Sequence, residues 1–211
     1  MTRAFFFSAA LAAGLATVGC DMPPVGGDDA TMSDQAASAR DQTPAGSTRQ
    51  QDSGRVEQFV QQAASGNLAE IELGQLAATR AQNNEVRQFA QRMVQEHTKA
   101  LDQLRSAVSE ASITVPTELS SEHQQTRERL SELQGDEFDR EYIDVMVDEH
   151  EKMADMLEAR RNSAGMQPGA ASEANAQLGG GLAPVNTWAS QALPIVQEHL
   201  ELARQIQRRL R

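Results

Sequence analysis

Three nearly identical pentapeptides carry the residues of this chain that are best suited to chemistry. They read Met93-Val94-Gln95-Glu96-His97, Met146-Val147-Asp148-Glu149-His150 and Ile195-Val196-Gln197-Glu198-His199. Together they hold three of the four histidines. Neutral imidazole binds zinc, copper, nickel and iron, and a neighbouring carboxylate can accept a hydrogen bond from the ring. The repeat therefore indicates either a metal site or a buried network of histidines and glutamates.

Helical spacing turns each of these histidines toward a core. Positions 86, 90, 93, 97, 101, 104 and 108 read Val, Ala, Met, His, Leu, Leu and Val, and positions 188, 192, 195, 199, 202, 206 and 210 read Trp, Ala, Ile, His, Leu, Ile and Leu. His150 lies between Met146 and Met153 in the same way. Each histidine is about fourteen residues from the expected start of its helix, or roughly 20 Å along the axis. The spacing predicts three inward histidines at one level.

The first helix is expected to supply an acid at that level. Reflecting His97 through a turn near residue 83 gives position 69, which Glu70 and Glu72 flank. The predicted ligands of one transition-metal ion, zinc, copper or iron, are therefore three histidines and one or both of these acids: His97, His150, His199, Glu72 and Glu70. The alternative is a site without metal, in which a hydrogen-bond network holds the helices in register.

One glutamate precedes each histidine directly in the sequence. These residues, Glu96, Glu149 and Glu198, lie about 100° around the helix from the histidine that follows. At that angle a carboxylate can reach the ring of a neighbouring helix, accept its N–H and fix its tautomer. We expect them to support the histidines rather than to bind the ion.

Periodic apolar residues define the elements that must hold this site. Four long stripes predict an all-α four-helix bundle over residues 55–211, and the 39% hydrophobic and 4% aromatic composition suits an aliphatic helical core. A short, charged helix is expected from Leu119 to Gln134, in the crossover between the second and third long helices. Residues 162–185, rich in Gly, Ala, Ser and Pro, are expected to form a loop before the last helix.

The N-terminus is predicted to direct export. Residues 1–19 combine Arg3 with an apolar run of signal-peptide length, and Leu15-Ala16-Thr17-Val18-Gly19-Cys20 resembles the lipobox of bacterial lipoproteins. Cleavage before Cys20 would leave that residue to carry lipid, with residues 21–54 as a disordered tether. The expected location is periplasm-facing, lipid-anchored to the outer or inner membrane. The alternative is a soluble periplasmic protein released by an ordinary signal peptidase.

Charge and motif content exclude several functions. The formal net charge of −11 argues against nucleic acid as a partner, and the only cysteine stands at the processing site. No Gly-rich phosphate loop, zinc-protease signature or serine nucleophile elbow occurs in the sequence. We therefore expect a metal-binding or stress-related envelope protein without enzymatic activity. A structural or partner-binding envelope protein is the alternative, and a metal-dependent oxidase or copper-handling protein ranks third.

Several segments of the helical region also resemble one bacterial family. They are Leu68-Ala69-Glu70-Ile71-Glu72-Leu73, Phe89 to Val94 running into Glu96-His97-Thr98-Lys99, Phe138-Asp139-Arg140 with His150-Glu151-Lys152, and Leu193-Pro194 before Glu198-His199-Leu200. Residues 55–210 thus resemble the ferritin-like family catalogued as domain of unknown function 4142, and the resemblance implies a ferritin-like fold. Ferritin-like di-iron sites use Glu-x-x-His motifs, whereas this chain has Val94, Val147 and Val196 three residues before its histidines. A carboxylate-rich di-iron site is therefore not expected.

Overall fold

The protein is helical throughout the part of the chain that the structure describes. A computed structural model describes residues 45–164 and 183–211, and these ranges contain five helices and no strand. The helices are α1 (Ala45–Arg80), α2 (Asn84–Ala107), α3 (Ser121–Glu132), α4 (Gly135–Ser163) and α5 (Ala183–Leu210). This confirms the all-α prediction, and α3 is the short helix expected between the second and third long helices.

Helix α1 begins earlier than the apolar pattern does. It starts at Ala45 and so includes the end of segment 21–54, for which a tether was predicted. The leader with Cys20, the rest of that segment and most of the predicted loop 162–185 lie outside the described residues. Among the helices of the two described ranges, none combines the length and the apolarity that crossing a bilayer requires.

The four long helices pack as two pairs that are joined to each other. Helix α1 lies along α2 and α4 lies along α5, while further contacts join α1 to α4 and α2 to α5. Two buried apolar clusters result. One surrounds Phe59, Leu104 and Trp188, and the other surrounds Phe138 and Tyr142. Burying side chains of this size stabilises the fold by about 1.5–3 kcal/mol each.

A layer of polar side chains separates the two apolar clusters. On each long helix, buried polar residues lie between residues of one apolar cluster and residues of the other. His97, for example, lies between Met93 and Leu101. The other buried polar residues of this layer are Asn67, Glu70, His150 and His199. Helices that contribute to both clusters must therefore bring these groups to one level.

Helix α3 is fixed to the long helices through a histidine–carboxylate contact and an ion pair. Its His123 lies 3.4 Å from Glu149 of α4, and its Arg127 lies 3.4 Å from Glu72 of α1. Gly135, at the start of α4, has a φ of 59°, which an L side chain rarely adopts, and it reverses the chain direction after α3. The fourth histidine of the sequence thus joins α3 to α4 and is not part of the polar layer.

The turn between α1 and α2 is tied to α4 by one buried carboxylate. Asp139 accepts hydrogen bonds from the backbone nitrogens of Gln82, at 3.1 Å, and Asn83, at 2.6 Å. The Asn83 side chain in turn caps α2 by accepting from the nitrogens of Glu85 and Val86. One residue of α4 therefore satisfies backbone donors that the helix ends leave free.

Replacing Asp139 with alanine should lower the free energy of unfolding by about 2 kcal/mol, because two backbone N–H groups lose their acceptor. Urea denaturation of the metal-free protein measures this. Asp148→Ala is the matched control, since Asp148 is exposed on the same helix, and it should change stability by less than about 0.5 kcal/mol. Equal effects of the two substitutions would show that Asp139 does not hold the turn.

Candidate metal centre

Helices α2, α4 and α5 each bring one histidine into the polar layer. His97 is 4% exposed, and His150 and His199 are each 1% exposed. The three ring centroids are 5.4 Å apart in every pair. One ring nitrogen from each histidine lies within 4.8 Å of the other two. The structure therefore brings together all three histidines of the repeated pentapeptide.

One nitrogen of each ring is bound by an acceptor of the protein. Nδ1 of His97 lies 3.0 Å from the side-chain oxygen of Asn67, and Nδ1 of His150 lies 2.8 Å from the carbonyl oxygen of Met146. Nε2 of His199 lies 2.7 Å from a carboxylate oxygen of Glu96. Because an oxygen acceptor requires a proton on the ring nitrogen, these three contacts fix the tautomer of each ring.

The opposite nitrogen of each ring has no protein partner among the described residues. These buried atoms are Nε2 of His97, Nε2 of His150 and Nδ1 of His199. In the tautomers just assigned they carry lone pairs and can bind a cation. Two nitrogens on a tetrahedral ion with bonds of about 2.1 Å are roughly 3.4 Å apart.

The surroundings keep the rings neutral. Burial lowers the pKa of His97 well below its usual value, and the nearby His150 and His199 lower it further. Burial, with a contribution from His199, lowers the pKa of His150 to about 4. Burial also lowers the pKa of His199, although its hydrogen bond to Glu96 favours the protonated ring. At neutral pH all three imidazoles therefore present lone pairs, as metal binding requires.

Glu70 lies next to His150, on the side of the ring that already has a partner. One of its oxygens is 3.5 Å from Nδ1, the atom that donates to Met146, and its other oxygen has no described partner. Burial, and then the negative charge of Glu149, raise the pKa of Glu70 well above its usual value. The predicted acid from α1 is therefore present at this level, but it faces the back of His150 and not the free nitrogens.

The structure does not bring Glu72, the other predicted ligand, to the histidines. Its side chain is 44% exposed and pairs with Arg127 of α3. Two positions along a helix correspond to a rotation of about 200°, so Glu70 and Glu72 cannot face the same site. Because Glu70 points inward, Glu72 points to the surface, and we leave it out of the candidate centre.

Only one of the three glutamates expected to support the histidines contacts a ring of the centre. Glu96 bonds to His199, and hydrogen bonds from Arg92 and His199 lower its pKa although its partial burial opposes this. Glu149 contacts His123 and Lys152, and Glu198 contacts Arg92. The three pentapeptides are alike in sequence, but their glutamates contact different side chains, because each pentapeptide lies on a helix with different neighbouring helices.

One buried residue of the centre, Asn67, was missed in the sequence. Asn67 occupies an inward position of α1, four residues after Ala63, and its amide nitrogen donates to the Ala63 carbonyl at 2.7 Å. That bond directs the Asn67 oxygen toward His97. Tyr142 is fully buried, its hydroxyl has no described partner, and after burial the charge of Glu70 is a further cause of its raised pKa. The sequence did contain a signal for Asn67, namely a polar residue at an inward position four residues after Ala63.

A pocket between α2 and α5 borders two of the three histidines. Its volume is about 320 Å³, and His97 and His199 line it while His150 does not. Trp188 forms part of the wall, where its indole nitrogen donates to the carbonyl of Ala100 at 2.9 Å. The free ring nitrogens are thus buried, and the pocket lies beside two of the three histidines that carry them.

Comparison with known proteins identifies the family of the chain. The family model described as Domain of unknown function (DUF4142) matches residues 37–206, which is well over half of the chain. Neither the curated proteins nor the solved structures gave a match. The match covers α1 to α4 and all but the last four residues of α5, with the three histidines, Asn67 and Glu70. The chain belongs to the DUF4142 family.

Proposed function

We propose that this protein binds one transition-metal ion through His97, His150 and His199. The observation that carries the proposal is the set of three unpartnered, buried ring nitrogens. An unpaired buried polar atom costs about 1–3 kcal/mol, so three at one place need a compensating partner, and a cation is a partner for all three. Neutral imidazoles suit zinc, copper and iron, and no carboxylate bridges the site as it would in a di-iron centre.

The arrangement of the helices supports a ferritin-like four-helix bundle as the scaffold. Each long helix contacts two others, and side chains from several helices meet between two apolar clusters. Bundle proteins build metal sites in this manner, from residues that project inward at one level. The role we propose is binding rather than catalysis.

We further propose that the protein acts in the cell envelope. The signal-peptide pattern of residues 1–19 and the lipobox-like sequence at Cys20 support export and attachment to the outer or inner membrane. Labelling of the full-length chain with a fatty acid, lost in Cys20→Ser, checks the attachment. A soluble periplasmic protein would remain unlabelled in both forms.

A metal-free network is the second candidate function. The bonds from His97 to Asn67 and from His199 to Glu96 favour it, because they would hold α1, α2 and α5 in register without an ion. The network leaves half of the ring nitrogens without a partner, however. Metal binding accounts for both nitrogens of every ring, and we therefore prefer it.

Metal titration of the domain separates the two candidates. The protein is purified without a histidine tag or chelator, and zinc, copper, iron and cobalt are added to the metal-free form. We expect one ion per chain and a higher melting temperature with at least one metal. Substitution of His97, His150 or His199 by glutamine should weaken binding by at least about a hundredfold, because each removes a direct ligand.

His123→Gln is the matched control for this titration. His123 is the remaining histidine of the chain and lies outside the centre, against Glu149. Its replacement should leave both the stoichiometry and the affinity unchanged. A wild-type protein that takes up no metal, or a loss of binding in His123→Gln as large as in the other variants, would rule out the proposed centre.

A further inference from the structure

The pocket between α2 and α5 lies on the side of the candidate centre that His97 and His199 form. Two of the three histidines line it, and the third, His150, lies behind them next to Glu70. Three protein ligands leave at least one coordination position of an ion to be filled from outside. Because two of the three ligands line the pocket, an ion held by all three would lie at the inner end of the pocket. An open position on that side would face the pocket.

The walls of the pocket are mainly apolar. Met153, Leu157, Trp188 and Val196 contribute apolar surface, and Ile195 at the pocket is 46% exposed. Within the described ranges, Ile195 is the one large hydrophobic residue that is exposed. A ligand that covered it would remove apolar surface from water, which is favourable. The pocket is therefore suited to a molecule with an apolar body.

The size of the pocket limits that body. An apolar cavity of about 150 Å³ accepts benzene. A volume of about 320 Å³ therefore has room for one aromatic ring, or a short aliphatic chain, together with a small polar group. It also falls at the lower end of the range for small-molecule sites.

Charge determines which polar group fits. Three neutral imidazoles do not compensate the charge of a divalent ion, so an anionic group is favoured at the open position. Glu96, the acid that lines the pocket, already binds Arg92 and His199. Lys99, at the same pocket, forms no ion pair with any described residue. The charges at the pocket thus favour a ligand with one negative charge.

We propose that the pocket binds a small aromatic or aliphatic monocarboxylate, whose carboxylate fills the open position on the ion while its apolar body lies against Trp188 and Ile195. The inference rests on the proposed function, because the carboxylate needs the ion. It adds the chemical class of the ligand that the centre receives.

Benzoate and the cobalt-loaded protein test this inference. Cobalt bound to the histidines gives an absorption spectrum that changes when a ligand enters its coordination sphere. Trp188 is the only tryptophan of the chain, so its fluorescence reports independently on the pocket wall. We expect benzoate to change both signals with one midpoint, and we expect binding to be at least tenfold weaker in the metal-free protein.

Ala192→Phe and Lys99→Gln test the place of binding. A phenyl group at position 192, in the pocket wall, should weaken benzoate binding at least tenfold without weakening cobalt binding. Ala78→Phe, in a shallow groove between α1 and α2, is its control and should change neither. Lys99→Gln should weaken benzoate binding severalfold, and its control is Lys152→Gln, which removes the only other lysine.

The outcomes separate this inference from the proposed function. Absence of a cobalt spectrum in the wild-type protein overturns both. A cobalt spectrum that benzoate leaves unchanged overturns only the carboxylate ligand and leaves the metal centre intact. Equal benzoate affinity with and without cobalt, or equal effects of Ala192→Phe and Ala78→Phe, also overturns it.

Discussion

Replacing His150 with leucine is expected to stabilise the metal-free protein and to abolish its stabilisation by metal. His150 is 1% exposed, and its Nε2 has no described partner. Leucine fills a similar volume without a buried polar atom, so we expect a gain of about 1 kcal/mol at pH 7.5. The Met146 carbonyl that loses the ring as a donor lies within α4, where the helical backbone still supplies a donor to it.

With metal present the order of stability should reverse. An ion at a hundredfold excess over its dissociation constant stabilises the folded protein by about 2.7 kcal/mol, and the His150→Leu variant should lose this stabilisation. Urea denaturation of both proteins, with and without zinc, measures all four values. A loss of more than about 1 kcal/mol in the metal-free variant would contradict the expected gain and would show that contacts of the His150 ring, such as those with Met146 and Glu70, stabilise the metal-free protein.

His97→Leu provides a comparison in which the metal-free result should differ. Removing the His97 ring leaves the side-chain oxygen of Asn67 without the hydrogen bond that it accepts from the ring N–H. That oxygen is buried, and we expect a loss of about 1–3 kcal/mol in the absence of metal. The two leucine variants should thus be equally deficient in metal binding and opposite in metal-free stability.

The position of the histidines could be predicted from sequence because it follows from one periodicity. Each histidine replaces an apolar residue in a helical stripe, so the side that packs on other helices must carry it. Its level could also be estimated, since 1.5 Å per residue converts a sequence count into a height. His97, His150 and His199 lie in one layer for this reason.

The acid on α1 could not be assigned by the same count. An estimate of height cannot distinguish Glu70 from Glu72, which differ by two residues, whereas the rotation of about 200° between them places one inside and one outside. The rotation depends on which side of α1 meets α2 and α4. Inward positions 60, 63, 67, 70 and 74 include Asn67 as well as Glu70, and recognising both required the actual packing.

The sequence also could not predict which nitrogen of each histidine ring is free and which has a hydrogen-bond acceptor. It depends on which acceptor stands behind each ring, and the three acceptors are of three kinds: the amide of Asn67, the carbonyl of Met146 and the carboxylate of Glu96. Three nearly identical pentapeptides therefore place two histidines, His97 and His150, in the tautomer with the proton on Nδ1 and His199 in the tautomer with the proton on Nε2. A local motif does not encode this difference, because the partners come mostly from other helices.

We expect acidification to lower the free energy of unfolding of the metal-free protein, because the folded protein holds His150 neutral. In the unfolded chain this histidine binds a proton below its usual pKa of 6.5, whereas the folded protein lowers the pKa to about 4. The contribution of His150 to the free energy of unfolding is therefore fully present above pH 6.5. It is lost as the pH falls toward 4, by about 3 kcal/mol in total. Burial lowers the pKa of His97 and His199 in the same direction, so they add to the loss.

The His150→Leu variant isolates this contribution from that of Glu70. Because burial raises the pKa of Glu70, the folded protein holds a proton there that the unfolded chain releases, and acidification restores some stability. Burial is the main cause of that opposing effect and is retained with leucine at position 150, so most of the effect cancels in the difference between the two proteins. The stability advantage of the metal-free His150→Leu variant over the wild-type protein should therefore grow by about 3 kcal/mol between pH 7 and pH 4. Urea denaturation at intervals across this range measures the growth. A constant difference between the two proteins would mean that His150 takes up its proton in the folded protein near its usual pKa, and that the ring is not held neutral in the core.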